Sequence, residues 1–271
     1  MKVQKYKKFG NGYVYALLTS QGKLVETTDT FLPYYTINAV GRRTNALLAP
    51  EFAARSERWM IGISVSSGCP VGCKFCATGN RFYSHLTAEE MMEQVEFITG
   101  NNKEFDPNKS KEFKVLFTRM GEPALNCQEV NKAVELIKAK YPRAVIGLST
   151  IGIDNPAIES WLELSSKYKD IYMQFSIHTT SESERADLIP FPNKLSYDKI
   201  REFGERWMKI PNNKRKVSLN FTILEGNEFS IEKLKKYFPK ELFFIKLSPL
   251  NENIVTRKNN LKGVIQEKNL K

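Results

Sequence analysis

Three cysteines fall within eight residues, in the run Ser67-Gly68-Cys69-Pro70-Val71-Gly72-Cys73-Lys74-Phe75-Cys76. No other feature constrains the chain as strongly. Thiolates are soft ligands suited to iron–sulfur clusters and zinc, and three of them on one glycine-containing loop can wrap a single metal centre. Zinc ribbons generally need two C-x2-C knuckles and a fourth ligand. Here the spacing is C-x3-C-x2-C, and Cys127 is the one cysteine outside the loop. Three thiolates on a 4Fe-4S cubane leave one iron without a protein ligand. Zinc binding and plain buried thiols stand as the alternatives. A disulfide framework is not expected, because a chain of 271 residues with 41% hydrophobic content buries a core without such staples.

The cysteine loop follows directly on the first of six apolar runs: Ile61 to Ser66, Lys114 to Thr118, Ala144 to Ser149, Ile171 to Ile177, Val217 to Leu224 and Leu242 to Leu247. Between them, helical patterns begin near Thr87, Cys127, Asn155, Ser196 and Ser230. At Thr87-Ala88-Glu89-Glu90 the residues fit a capping box, with Met91, Val95 and Ile98 as an apolar stripe. Such alternation predicts a parallel sheet that right-handed crossovers curl into a full or partial β/α barrel. An open doubly wound sheet is the alternative, but no glycine-rich phosphate fingerprint follows the first strand. Ahead of this core, Tyr13 to Leu18 and Leu24 to Thr28 flank Ser20-Gln21-Gly22-Lys23 as a β-hairpin, and a second pair is expected near Tyr35-Thr36-Ile37 and Ala46-Leu47-Leu48. The expected fold is therefore α/β, a partial (β/α)6 TIM-like barrel over residues 59–252. A small β-rich N-terminal segment (1–58) precedes it, and a charged C-terminal tail (253–271) follows.

Lys and Arg outnumber Asp and Glu by 41 to 30, a formal net charge of +11. That surplus favours polyanionic partners such as RNA, with a lysine-rich solvated face as the alternative. Its densest runs are Lys214-Arg215-Lys216 and Lys233, Lys235 and Lys236. No stretch approaches the roughly 18 apolar residues of a membrane span, and no apolar segment follows the N-terminal lysines, so a cytoplasmic location is expected.

A barrel places its active site at the C-terminal ends of its strands. The second predicted strand ends in Thr118-Arg119-Met120-Gly121-Glu122-Pro123, where Gly121 permits close backbone approach and Glu122 can accept from an amine. The third ends in Leu148-Ser149-Thr150, the fourth in Ser176-Ile177-His178 and the sixth in Ser248-Pro249-Leu250-Asn251. Residues 185–193 read as a polar, proline-interrupted loop, residues 100–112 as an exposed loop, and His85 as structural.

The aromatic Phe75 before the last loop cysteine, Ala77-Thr78-Gly79, Met120-Gly121-Glu122-Pro123, Leu148-Ser149-Thr150, Ser176-Ile177-His178, Arg185 with Pro190 and Asn193, Thr222-Ile223-Leu224 with Gly226-Asn227, and Pro249-Leu250-Asn251 recur in one pattern. Over roughly residues 40–252 the chain resembles the RlmN/Cfr branch of radical S-adenosylmethionine (SAM) enzymes, which methylate adenine carbons in RNA. The resemblance implies a 4Fe-4S cluster on Cys69, Cys73 and Cys76, with SAM on the open iron. It further implies SAM contacts at Phe75, Gly121, Glu122, Ser149, Ser176, Ile177, His178 and Asn251, and a reductase such as flavodoxin or ferredoxin as electron donor.

In that family, one cysteine near the C-terminus carries the methyl group and another, ahead of the cluster loop, resolves the RNA adduct. The second position is Ser64 here, no cysteine follows Cys127, and Asn45 stands near a family glutamate. The catalytic residues are therefore unknown, with Ser64, Cys127 and Asn45 as candidates. The β-rich segment stands where the family carries a fused helical RNA-binding module. The reading that results is a radical SAM enzyme acting on RNA or a nucleotide without the two-cysteine methyl relay. The alternatives are a peptide or small-metabolite substrate, and a non-catalytic SAM- or RNA-binding relic.

Overall fold

The computed structural model describes residues 1–32, 36–37, 43–44, 54–79, 81–211 and 215–265. The chain opens with three antiparallel strands, β1 (Lys2–Phe9), β2 (Gly12–Leu18) and β3 (Leu24–Leu32), so the expected hairpin gains a leading strand. The sequence hides β1 because its residues are exposed on both faces and lack the apolar alternation of a half-buried strand. A short pair follows, β4 (Thr36–Ile37) with β5 (Arg43–Thr44). The expected partner at Ala46 to Leu48 lies outside the described residues.

Next come β6 (Arg58–Ile63), β7 (Ser66–Gly68), β8 (Phe82–His85) and α1 (Ala88–Gly100). The first predicted barrel strand thus stops at Ile63 rather than Ser66, and the N–H groups of Val65 and Ser66 turn to the carbonyl of Met120. Helix α1 carries the capping box read from the sequence. The Thr87 side chain accepts from the Glu90 N–H, and the Glu90 carboxylate accepts from the Thr87 N–H at 3.0 Å.

Strand and helix then alternate: β9 (Glu112–Phe117), α2 (Cys127–Lys140), β10 (Val145–Thr150), α3 (Ala157–Lys167), β11 (Ile171–Ser176), α4 (Glu182–Leu188), α5 (Tyr197–Met208), β12 (Val217–Thr222), α6 (Ile231–Tyr237), β13 (Phe243–Ser248) and α7 (Ile254–Lys258). This is the α/β succession of a partial (β/α)6 barrel. Two helices were not expected. Helix α4 occupies part of the segment read as a polar loop, started by Ser181 as N-cap. Helix α7 interrupts the charged tail, capped by Asn253 with Thr256. Both are too short to carry a clear period, and their start signals are the cap residues alone.

The chain forms two compact units. The first comprises Met1–Ser67, Ser84–Met120 and Gln128–Gly147. In it β1, β2, β3 and β6 run antiparallel and β6 pairs in parallel with β9, Arg58 opposite Glu112. Its core is Leu17, Val25, Trp59, Ile61, Met91, Val95 and Val115. The buried carboxylate of Asp29 accepts from Trp59 Nε1 at 2.8 Å and from both arms of Arg55, so its charge is paired.

The second unit comprises Gly68–Tyr83, Gly121–Cys127 and Leu148–Lys271, with β10 divided between the two. Here β11, β12 and β13 are parallel, with Ser176, Asn220 and Lys246 in register. Alternation puts Met173, Phe175, Leu219 and Phe221 on the buried face, against Phe203 of α5. The other face is polar: Gln174, Ser176, Ser218, Asn220 and Lys246.

Candidate functional site

The cysteine loop belongs to the second unit and is built by tight turns. Gly68 has φ +78°, and a Cβ there would lie 1.9 Å from the Arg81 carbonyl oxygen, so only glycine allows the Cys69 N–H to reach that oxygen at 2.8 Å. The Cys76 N–H bonds back to the Cys73 carbonyl, and that of Gly79 to the Cys76 carbonyl. From outside the loop, the Leu188 carbonyl takes the Lys74 N–H, Asn259 Nδ2 donates to the Lys74 carbonyl at 2.8 Å, and Asn253 Nδ2 donates to the Phe75 carbonyl at 3.0 Å. The two residues between Cys73 and Cys76 are thus held on both edges of the backbone.

Burial pushes the Cys69 thiol up to about 11 and that of Cys73 well above its ordinary value. Each sulfur also feels the negative form of its neighbours: Cys76 and Glu122 raise Cys69, while Cys76, Cys69 and Glu122 raise Cys73. Opposing this, the N–H groups of Val71 and Gly121 point at the Cys69 sulfur. Three clustered soft donors, two of them held in the protonated form by burial, fit a cationic iron–sulfur core that would replace those protons. Among the described residues, no three His, Cys, Asp or Glu side chains converge as they would around one ion. A cubane requires no such convergence, since each cysteine binds a separate iron.

Glu122 is buried, and burial raises its carboxyl to about 7. Oε1 accepts from the Ala124 N–H and the Thr150 hydroxyl, and Oε2 from the Ile151 N–H at 2.9 Å. These bonds tie the Gly-Glu-Pro loop to the end of β10, while the Gly121 N–H ties it to Cys69. A carboxylate offers about four lone-pair sites, and the three bonds leave one on Oε2.

His178 lies just past β11 with φ 68°, a left-handed conformation that non-glycine residues rarely adopt. Its Nδ1 accepts from the Thr222 N–H at 3.1 Å, which leaves Nε2 as the protonated nitrogen of a neutral ring. Burial, and then the charge of Arg185, lowers it to about 3. The ring sits 4.5 Å from that of Phe75 between centroids. Strand ends β11 and β12 are thereby joined to the cysteine loop. Ser149 accepts from Gln174 at 2.9 Å, and the Ser248 hydroxyl donates to Asn220 at 2.7 Å on the polar face. Ile177 is fully buried, with its N–H on the Asn220 carbonyl, and Asn251 is exposed.

The remaining candidates have different surroundings. Ser64 is buried in the first unit, where its hydroxyl donates to the Glu26 carbonyl at 2.6 Å and accepts from the N–H groups of Glu26 and Met120. That fills the bonding capacity of a hydroxyl. Cys127 starts α2 with its sulfur 3.0 Å from Ser160 Oγ, and Asn45 lies outside the described residues. Arg185, read as part of a loop, is buried in α4 and donates to the carbonyls of Ile151 and Leu195, while its Nε has no hydrogen-bond partner among the described residues.

Sequence reading placed Thr150 in a strand-end motif without a role of its own and missed Gln174, Asn220, Lys246, Asn253 and Asn259. For two of them a signal existed: Gln174 with Ser176, and Asn220 with Ser218, are polar at alternate positions in strands expected to be apolar on both faces. A cleft of about 590 Å³ lined by Lys216, Leu234, Phe238 and Phe243 lies at the other ends of β12 and β13, away from these residues.

Fold and site together define an α/β protein with a three-thiol loop at its strand ends. The family model described as the Radical SAM superfamily matches residues 63–238, and the chain belongs to that superfamily, whose cofactors are a 4Fe-4S cluster and SAM. Within it the chain is similar to the RlmN/Cfr-like branch. It is 29% identical over 227 residues to the probable dual-specificity RNA methyltransferase RlmN of Heliobacterium modesticaldum, covering 79% of this chain and 56% of that one. It is also 29% identical over 191 residues to the dual-specificity RNA methyltransferase RlmN of Marinobacter nauticus, covering 69% and 49%. The chain therefore spans about half the length of these relatives. The fold matches a radical SAM methyltransferase from Sphaerobacter thermophilus, with TM-score 0.69, 21% identity, and coverage of 93% of this chain and 67% of that one. It also matches Streptococcus suis SuiB bound to S-adenosylmethionine, with TM-score 0.51, 16% identity and coverage of 72% and 41%. No helix among the described residues is long and apolar enough to cross a membrane.

Proposed function

We propose that this chain is a radical SAM enzyme that acts on RNA or a nucleotide, with Cys69, Cys73 and Cys76 as the ligands of its 4Fe-4S cluster. When bound, cluster and SAM together supply one-electron reductive cleavage of the sulfonium, giving methionine and a 5'-deoxyadenosyl radical. The observation that carries this reading is the convergence on one thiol loop of the Gly121 N–H at Cys69 and the His178 ring at Phe75.

The protein's own part is positioning. Glu122, whose Oε2 keeps one unfilled acceptor position, would hold the SAM amine. Gly121 at φ +101° brings backbone to the loop without a side chain between. Phe75 and His178 form an apolar wall, and Ser149, Ser176 and Asn251 offer polar contacts at the strand ends. An external reductase such as flavodoxin or ferredoxin provides the electron.

Methyl transfer through a two-cysteine relay is not part of this reading. Ser64 occupies the position of the resolving cysteine, its hydroxyl is fully engaged, and serine is neither a thiolate nor a radical carrier. The bound cofactors would then supply a radical to the substrate without a methyl carrier on the protein. RNA is favoured as substrate by the basic composition and by the names of the relatives.

The test is anaerobic reconstitution with iron and sulfide, reduction, and incubation with SAM. We expect 5'-deoxyadenosine from the natural chain and none above background from Cys69→Ala; equal amounts would overturn the cluster assignment. A nucleoside mass profile of cellular RNA with and without the gene tests the substrate class, with one modified nucleoside expected to disappear.

A further inference from the structure

Among the described residues, strand β1 stands at the end of the sheet with β2 as its one neighbour. All eight of its residues are exposed, four are lysines and none is acidic. Lys2, Lys5, Lys7 and Lys8 have no carboxylate partner among the described residues. The register irregularity between Val3 and Lys5 sorts them onto faces. Lys2, Lys5, Lys7 and Phe9 stand opposite Leu18, Ala16, Val14 and Gly12, while Tyr6 and Lys8 stand opposite Tyr15 and Tyr13.

Aromatic rings accompany the charges. Tyr13 and Tyr15 stack at 5.6 Å, and Tyr6 joins them at 6.3 and 6.1 Å. The Lys8 ammonium lies 5.9 Å from the Tyr13 ring centre and that of Lys7 lies 4.9 Å from Phe9. Tyr6 and Phe9 are 61% and 44% exposed.

We infer that the β1–β2 hairpin is a docking strip for single-stranded RNA, resting on the proposed action on RNA. Lys8 beside Tyr6 and Tyr13 on one face, and Lys7 beside Phe9 on the other, put a cation next to an aromatic ring on each side of the edge strand. Cations that track phosphates next to rings on which bases stack are the combination that single strands use. Edge lysines also discourage strand-to-strand association, but that task does not call for exposed Tyr6 and Phe9 among them. An acidic peptide would satisfy the lysines and leave the rings open.

The probe is a fluorescein-labelled, mixed-sequence single-stranded RNA titrated by anisotropy into the reconstituted full chain. In Lys5→Gln/Lys7→Gln/Lys8→Gln we expect binding on the order of 10-fold weaker at about 0.1 M salt. Three lost phosphate contacts on a single strand should also lower the salt slope by about 2. Tyr6→Ala should weaken binding about 10-fold with the slope kept. A control that removes the same charge elsewhere, Lys235→Gln/Lys236→Gln/Lys240→Gln, should stay within about 2-fold of the natural chain. Thermal melting and RNA-independent SAM cleavage should be unchanged in the hairpin variants, which separates docking from misfolding.

Equal losses in the hairpin and control variants would overturn the inference, as would absence of RNA binding by the natural chain, equal competition by polyglutamate, or a dimer that the hairpin variants abolish. Unaltered RNA binding by the hairpin variants alongside an intact gene-dependent nucleoside would sink this inference and leave the substrate reading standing. Hairpin-dependent binding with no such nucleoside would do the reverse.

Discussion

His178 and Glu122 are both buried and both titrate away from their ordinary ranges, in opposite senses. The unfolded chain protonates the imidazole near 6.5, whereas the folded chain resists until about 3, so stability is lost as pH falls through that window. Glu122 keeps its proton in the folded chain up to about 7 but releases it near 4.5 when unfolded, so stability is lost as pH rises from 4.5 to 7. Between 4.5 and 6.5 the two effects oppose each other, and below 4.5 His178 acts alone. His178→Asn tolerates the left-handed backbone and should flatten the acid limb by on the order of 5 kcal/mol. Glu122→Gln should remove the decline towards neutral pH. Urea unfolding of the cluster-free protein across this range measures both. Ser64→Ala presents a simpler case: two backbone N–H groups lose their acceptor, at a cost of about 2 kcal/mol. The same denaturation series should show that loss, while 5'-deoxyadenosine formation stays unchanged, as a hydroxyl without a catalytic task requires.

Among the elements, α7 and its flanks have the clearest consequence. Asn253 caps the helix with its Oδ1 and uses its Nδ2 to hold the Phe75 carbonyl, and Asn259 holds that of Lys74 from the other end. Asn253→Ala removes a cap worth about 1 kcal/mol and a loop contact at once. Together with Asn259→Ala it should speed iron loss to a chelator, read by the fall in visible absorbance, while initial iron content stays near that of the natural chain. The capping box at Thr87, the main strands and the helices of the core were all legible in the chain, because each repeats a period or carries a turn of cap residues. Strand β1, with lysines on both sides, and helices α4 and α7, under three turns each, have no such repeat. They exist because neighbours supply partners: β2 for β1, and the cysteine loop for the residues flanking α7.

At the scale of the molecule, the three cysteines all lie in the second compact unit. A cluster that binds only folded ligands stabilises the fold that presents them. Reconstitution should therefore slow hydrogen exchange most in residues 68–79, 121–127 and 174–180, with less change in β1 to β3. Equal slowing throughout would mean that the two units do not open separately. Exchange mass spectrometry before and after loading measures this.

The thiol spacing, the strand-end motifs and the alternation of strand and helix were determined by sequence alone, because ligand chemistry and periodicity are local properties carried by neighbouring residues. Tertiary structure decided which donors face which acceptors. Folding filled the Ser64 hydroxyl, took three of the four Glu122 lone pairs, set His178 against Phe75, and brought Asn253 and Asn259 to a loop almost two hundred residues away in the chain. Such pairings depend on the path of the backbone through space, and no local pattern of residues encodes them.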